Sequence, residues 1–205
     1  MSKSIGARVC AALAGAALVT GVASAAFAEE SHGDDDVRVT VDVTPIGPEG
    51  ALTMTVDGTE AALAEGDSGD PAVREYRGQL PTVTVTDTRP TEDIQTGAFW
   101  YVLGSATDFT GDAGQDPISA GHLGWTPAVT DPEGTGLVAP GAQVDTVLDE
   151  GPNNVGLVDQ ELLALAGDSQ AAAGTWQADA DLFLKMPATT APGSYESVLT
   201  LSLFE

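Results

Sequence analysis

The chain has 205 residues, in which 31 acidic side chains stand against seven basic ones and give a formal net charge of −24. This charge excludes proteins that bind nucleic acid by neutralising its phosphates, because they need a surface rich in Lys and Arg. With 24 Gly and 12 Pro, the chain has more turn-forming residues than a helical bundle, and its 42% hydrophobic content is enough for one packed domain.

The first 28 residues are typical of a cleaved secretory signal peptide. Lys3 and Arg8 precede an apolar stretch over residues 9–22, and residues 26–28 supply the A-x-A pattern that signal peptidase cleaves. The apolar stretch is shorter than the about 20 residues that a membrane span needs, and no second segment of spanning length follows. We therefore predict a secreted protein with no transmembrane span in the mature chain.

The predicted mature chain begins with an acidic spacer. Residues 29–36 (EESHGDDD) contain no apolar side chain, so they are expected to be solvated, and a single folded domain is predicted over residues 37–205. The only cysteine, Cys10, would leave with the signal peptide, so the mature chain could form neither a disulfide nor a thiolate metal site. Its basic residues would be Arg38, Arg74, Arg77, Arg89 and Lys185.

Alternating apolar and polar residues predict strands throughout this domain. The predicted strands are residues 37–43, 52–56, 82–87, 99–103, 180–186 and 197–203. The last two are separated by residues 187–193, as in a hairpin with a loop of moderate length.

One segment departs from this pattern. Residues 157–166 (LVDQELLALA) group amino acids that favour helix, and Gly167 can cap the end, so we predict a short helix there. The combined pattern predicts an all-β protein, a two-sheet β-sandwich or jelly roll with one short helical insertion.

Two motifs raise the question of catalysis or metal binding. Residues 66–71 (GDSGDP) are similar to the nucleophile loop of chymotrypsin-like proteases, but too little chain precedes Ser68 to supply the His and Asp of a triad, so we interpret them as a polar loop. His122 is the only histidine of the predicted domain, which argues against zinc. Calcium takes oxygen ligands, and its candidate ligands are Asp108, Asp112 and Asp116, although their spacing is not that of an EF-hand. No other cofactor and no catalytic residue is assigned.

Aromatic residues are the candidates for binding a sugar, because a flat ring complements the apolar C–H face of a pyranose. Trp100 lies in an apolar run and is predicted to be core, whereas Trp125, flanked by Gly124 and Pro127, is predicted to be the most exposed tryptophan. The candidate ligand-binding residues are Trp125, Trp100 and Tyr101.

Two stretches resemble WxL domains. Residues 84–89 (TVTDTR), followed by residues 99–102 (FWYV) and Asp108-Phe109, are similar to the proximal part of that family, and residues 193–203 (GSYESVLTLSL) are similar to its distal end. Val102 and Leu201 stand where the family carries Leu and Trp. The resemblance spans residues 37–205 and implies a β-rich domain of secreted Gram-positive proteins that attach non-covalently to the cell wall, with peptidoglycan as the ligand.

We therefore expect a non-enzymatic secreted or cell-surface protein that binds cell-wall glycan or another surface protein. Its charge repels nucleic acid and anionic lipid. Two alternatives stay open. One is a self-assembling surface component, in which residues 197–203 pair with a neighbouring molecule at a sheet edge. The other is a glycosidase, which would need two carboxyl groups at a defined separation in a cleft.

Overall fold

The computed structural model describes residues 50–131 and 133–205. The predicted signal peptide (1–28), spacer (29–36) and first strand (37–43) lie outside the described residues. The described part is built of strands and two short 3₁₀ turns, Thr91–Asp93 and Ala120–His122. Its strands are β1 (Leu52–Val56), β2 (Ala64–Gly66), β3 (Val73–Gln79), β4 (Val83–Asp87), β5 (Trp100–Ala106), β6 (Thr110–Gly111), β7 (Leu123–Thr130), β8 (Val138–Pro140), β9 (Glu161–Ala166), β10 (Gly174–Pro187), β11 (Tyr195–Glu196) and β12 (Leu199–Phe204).

The strands form two principal antiparallel sheets. Sheet I has the order β1-β4-β10-β3-β2, with β7 on the other edge of β10. The long strand β10 pairs with β4 through residues 174–178, with β3 through residues 181–187 and with β7 through residues 177–184. Sheet II has the order β12-β5-β9-β8, and β6 and β11 form a separate two-residue pair.

The core lies between the two sheets, where alternate residues of each strand point inward. Sheet I contributes buried residues such as Val83, Val85 and Leu182, and sheet II contributes Trp100 and Val102. The all-β, two-sheet architecture predicted from the sequence is therefore confirmed. Within residues 50–131 and 133–205, no helix has the length and apolar character required to cross a membrane.

Two local predictions were wrong. Residues 157–166 do not form a helix, because Glu161–Ala166 is strand β9, which pairs with β5 and buries Leu163 against the core. Burial between two sheets outweighs the helix preference of Leu and Ala. Residues 180–186 and 197–203 do not form a hairpin either, because β10 belongs to sheet I and β12 to sheet II. The connection crosses the sandwich and pairs through β11 with β6 on its way.

Gly104 of β5 shows how closely the two sheets approach. A β-carbon added to it would lie 2.6 Å from Cη2 of Trp125 and 3.1 Å from Cδ2 of Leu201. Gly104→Ala is therefore expected to overpack the core and lower the free energy of unfolding by about 1–3 kcal/mol. Urea denaturation measures this change. Gly167→Ala is the matched control, because an added β-carbon there meets nothing within 4 Å, and equal losses in both variants would contradict the expectation.

Candidate functional site

Three aromatic rings lie side by side on the outer face of sheet II: Phe99, Tyr101 and Phe204, which we call the aromatic row. The ring centroids of Phe99 and Tyr101 are 5.9 Å apart and those of Tyr101 and Phe204 are 5.3 Å apart, with planes inclined by 20° in each pair. Nearly parallel rings at these distances are offset, so each leaves part of its face uncovered. Phe99 and Phe204 are 48% and 37% exposed.

The alternation of β5 places this row outside the core. Trp100 and Val102 point inward and are buried, so Tyr101 between them points outward. The register of sheet II aligns Tyr101 with Phe204 on one side and with Leu165 on the other. Leu165 is in turn opposite Ala139 of β8, so an apolar strip crosses all four strands of the sheet.

The segment before β5 is held firmly, which fixes the position of Phe99. The N–H of Ser169 donates to the carbonyl of Ala98 at 2.9 Å. Gln170 Nε2 donates to the carbonyls of Thr91 and Ile94 at 3.1 and 2.8 Å. The residues after β9 therefore tie down the chain that leads into the aromatic row.

An ion-pair network lies at the end of β12, next to the row. The Arg89 guanidinium donates to Asp87 at 2.7 Å and to Glu205 at 2.6 Å. Asp87 ends β4 in sheet I and Glu205 follows β12 in sheet II, so Arg89 connects the ends of the two sheets. Its hydrogen bonds lower the pKa of both carboxyls below their ordinary values and raise the pKa of Arg89 itself.

Of the three predicted ligand-binding residues, only Tyr101 reaches the surface. The expectation that Trp125 is exposed was wrong: its side chain is 0% exposed and its main chain bonds with Val144 in a β-bridge. Gly124 marks a close approach of Phe183 to the strand rather than a loop. Trp100 is 1% exposed, as the prediction of a core position requires. Sequence reasoning missed Phe99 and Phe204, although the i, i+2 spacing of Phe99 and Tyr101 indicates a shared face.

Two of the three candidate calcium ligands, Asp108 and Asp112, accept hydrogen bonds from nearby groups. Asp108 Oδ1 accepts a hydrogen bond from the N–H of Ala120 at 2.8 Å, and Asp112 Oδ1 accepts one from Gln115 Nε2 at 3.3 Å. Within the described ranges, no group of three or more His, Cys, Asp or Glu side chains is arranged to hold a metal ion, and this includes Asp108, Asp112 and Asp116. Calcium binding at these residues stays a prediction.

The other two motifs also have structural partners. Ser68 Oγ donates to the carbonyl of Val73 at 2.6 Å, in the polar loop between β2 and β3. His122 Nδ1 lies 2.7 Å from the carbonyl oxygen of Lys185, so the ring fastens the start of β7 to β10.

A second surface feature is a cleft of about 940 Å³ between the sheets. Among the described residues that line it, Glu60 and Glu196 are acidic. Burial, with a smaller contribution from Asp159, raises the pKa of Glu161, as a glycosidase acid would require, but Glu161 does not line this cleft. The glutamate with the raised pKa therefore lies outside the cleft, and the glycosidase alternative stays a hypothesis.

No protein-family model, no curated protein and no solved structure matches the chain.

Proposed function

We propose that the protein is a non-catalytic, secreted or cell-surface module of the WxL-like kind, which binds cell-wall glycan through the aromatic row. The observation that carries this proposal is the set of three offset, partly exposed rings of Phe99, Tyr101 and Phe204 on the outer face of sheet II, in line with the apolar strip described above. Exposed aromatic and apolar surface of this kind marks an interaction site.

The charge of the chain favours a neutral contact over an ionic one. Thirty-one acidic residues repel the polyanions of a bacterial wall, so simple electrostatic adsorption would be unfavourable. Stacking of pyranose C–H groups on aromatic rings needs no charge and survives at high ionic strength. The glycan chains of peptidoglycan offer such sugar faces.

Sedimentation with intact peptidoglycan sacculi tests this proposal. Tyr101→Ala and Phe204→Ala are each expected to weaken binding by about fivefold, because each removes a ring worth on the order of 1 kcal/mol of stacking. Val198→Ala is the control, since Val198 is 61% exposed and lies outside the row. Sacculus binding that is unchanged in both aromatic variants would overturn the proposal.

The same assay tests the calcium prediction when it is run with calcium and with EDTA. Direct stacking on glycan predicts equal binding in both buffers. Binding that EDTA abolishes would instead indicate that divalent cations bridge carboxylates and the wall. Asp108, Asp112 and Asp116 would then be the first candidate ligands to substitute.

Self-assembly has one observation in its favour, the position of β12 as the outermost strand of sheet II among the described residues. Sedimentation equilibrium at increasing protein concentration tests it. Self-assembly predicts a rising average mass, whereas a solitary binding module predicts a constant one.

A further inference from the structure

The cleft opens on the side of the sandwich where β1 is the outer strand of sheet I and β12 is the outer strand of sheet II. Met54 and Val56 of β1 line one wall, and Leu199 and Leu201 of β12 line the other. Apolar core residues, among them Phe109 and Leu184, form part of its lining. The two sheets are therefore splayed along this side, and apolar surface from both is open to a ligand.

The outer edge of β12 carries main-chain groups that no described residue pairs with. The N–H of Thr107 donates to the carbonyl of Val198, and the N–H of Ala106 points the other way, to Leu157. Hydrogen bonding alternates along an antiparallel pair. The main-chain N–H and C=O groups of Thr200 and Ser202 therefore point toward β5, and those of Leu199, Leu201 and Leu203 point away from it, to the open edge.

The same alternation leaves a free edge on β1. The N–H of Thr88 donates to the carbonyl of Ala51, and the N–H of Asp57 donates to the carbonyl of Thr82. The main-chain groups of Leu52, Met54 and Val56 therefore point away from β4, and they have no backbone partner among the described residues.

A ligand that fits this site must satisfy a row of main-chain donors and acceptors and also fill an apolar cleft. An acyl chain would fill the cleft but would leave the main-chain groups unpaired. An extended peptide does both, because its backbone pairs with the edge while every second side chain points inward. We propose that the cleft accepts an extended segment of a partner protein, which adds a strand to β12 and places alternate apolar side chains between the sheets.

Charge identifies the chemistry of this segment. Glu60 and Glu196 line the cleft, and Arg74, the only basic residue among its described lining residues, is already paired with Glu65 at 2.7 Å. A second copy of this chain would bring another −24 to the site and would be repelled. Basic side chains on the solvent-facing side of the incoming strand complement this negative charge, so we infer that the partner segment alternates apolar and basic residues.

A capped nine-residue peptide of alternating Lys and Val, fluorescently labelled, is the probe. Fluorescence anisotropy with the full chain is expected to show saturable binding. A peptide of the same composition with its valines grouped together is expected to bind at least about tenfold more weakly, since it cannot place every valine inward. Equal affinity of the two peptides, or no binding of the alternating one, would overturn the proposal.

N-methylation separates strand pairing from apolar adhesion. If the added strand is antiparallel to β12, the backbone N–H groups of its valines bond to β12, and methyl groups on those nitrogens block the pairing. If the strand is parallel, the N–H groups of the lysines bond to β12 instead, and methyl groups on the lysine nitrogens block it. At least one of the two methylated peptides is therefore expected to lose binding. Retention of binding by both would show that the main-chain edge is not used.

Two protein variants on the same strand test the location. Leu199→Gln places a polar amide in the cleft, whereas Thr200→Gln places it on the outer face as a matched control. Only Leu199→Gln is expected to weaken the binding of the alternating peptide, by about tenfold. Val56→Gln on β1 repeats the test at a residue that is 38% exposed, so that loss of folding cannot explain the result.

The result of the peptide-binding test does not depend on whether the aromatic row binds glycan. Tyr101→Ala is expected to leave peptide affinity unchanged, because Tyr101 lies on the outer face of sheet II and does not line the cleft. Self-association that competes with the peptide and disappears in Val56→Gln would identify a second copy as the occupant and overturn the proposed partner.

Discussion

Trp125→Ala is expected to lower the free energy of unfolding by about 3–5 kcal/mol. The indole is 0% exposed and reaches across the core to Gly104 of the opposite sheet. Removal of so large a side chain leaves a cavity that the two sheets cannot close without breaking their own pairing. Urea denaturation followed by far-ultraviolet circular dichroism measures the loss.

Trp125→Phe serves as the graded control. The indole N–H has no hydrogen-bond partner in the described structure, so phenylalanine loses volume but no hydrogen bond, and we expect a loss of about 1–2 kcal/mol. A loss below about 1 kcal/mol in Trp125→Ala would show that the ring is not part of the core.

Arg89→Ala is expected to cost about 3–5 kcal/mol at neutral pH, because it strands the carboxylate of Asp87 without its counter-ion. Asp87 is 4% exposed, and among the described residues its ion-pair partner is Arg89. The double variant Arg89→Met/Asp87→Asn is expected to recover part of this loss, since it removes the buried charge as well as its partner. Urea denaturation of the three proteins at pH 7 compares them.

The effect of Arg89 also depends on pH, and its direction follows from the pKa values. Arg89 lowers the pKa of Asp87 and Glu205 in the folded state, so its stabilising effect is fully present above their ordinary pKa of about 4. It is lost as the pH falls through the lowered folded-state values. The stability difference between wild type and Arg89→Ala should therefore narrow below about pH 4. A difference of constant size down to pH 2 would mean that the Arg89 stem acts by packing alone.

Local alternation was sufficient to predict much of the described fold. β1 occupies residues 52–56 as predicted, and β4, β5, β10 and β12 overlap their predicted strands. Each has apolar residues at every second position or a continuous aromatic run, signals that arise within five to seven residues. The helix predicted at 157–166 failed because the Leu and Ala of β9 are placed by contacts with β5, which the local sequence does not contain.

The candidate site was harder to predict because its parts are distant in the sequence. Tyr101 and Phe204 are neighbours only through the register of β5 with β12, and no local pattern specifies that register. Trp125 misled the prediction since Gly124 and Pro127 are typical of loops. Both residues are tolerated in β7. The ring of Phe183 fills the space above Gly124. The main-chain N–H of Trp125 points to Val144 and away from β10, and Pro127, two residues later, has the same orientation, so its missing N–H interrupts no hydrogen bond with β10.

The central place of β10 in sheet I also determines when the protein can fold. Strands β3, β4 and β7 are all made before β10, and each has one edge that pairs only when β10 is present. Sheet I therefore cannot close until residue 187 has been synthesised, and such long-range pairing is intrinsically slow. During that interval the earlier strands expose unpaired edges, the condition in which chains aggregate. We therefore expect the excess of acidic residues to act before the native state exists, because like charges keep incomplete chains apart until β10 is made.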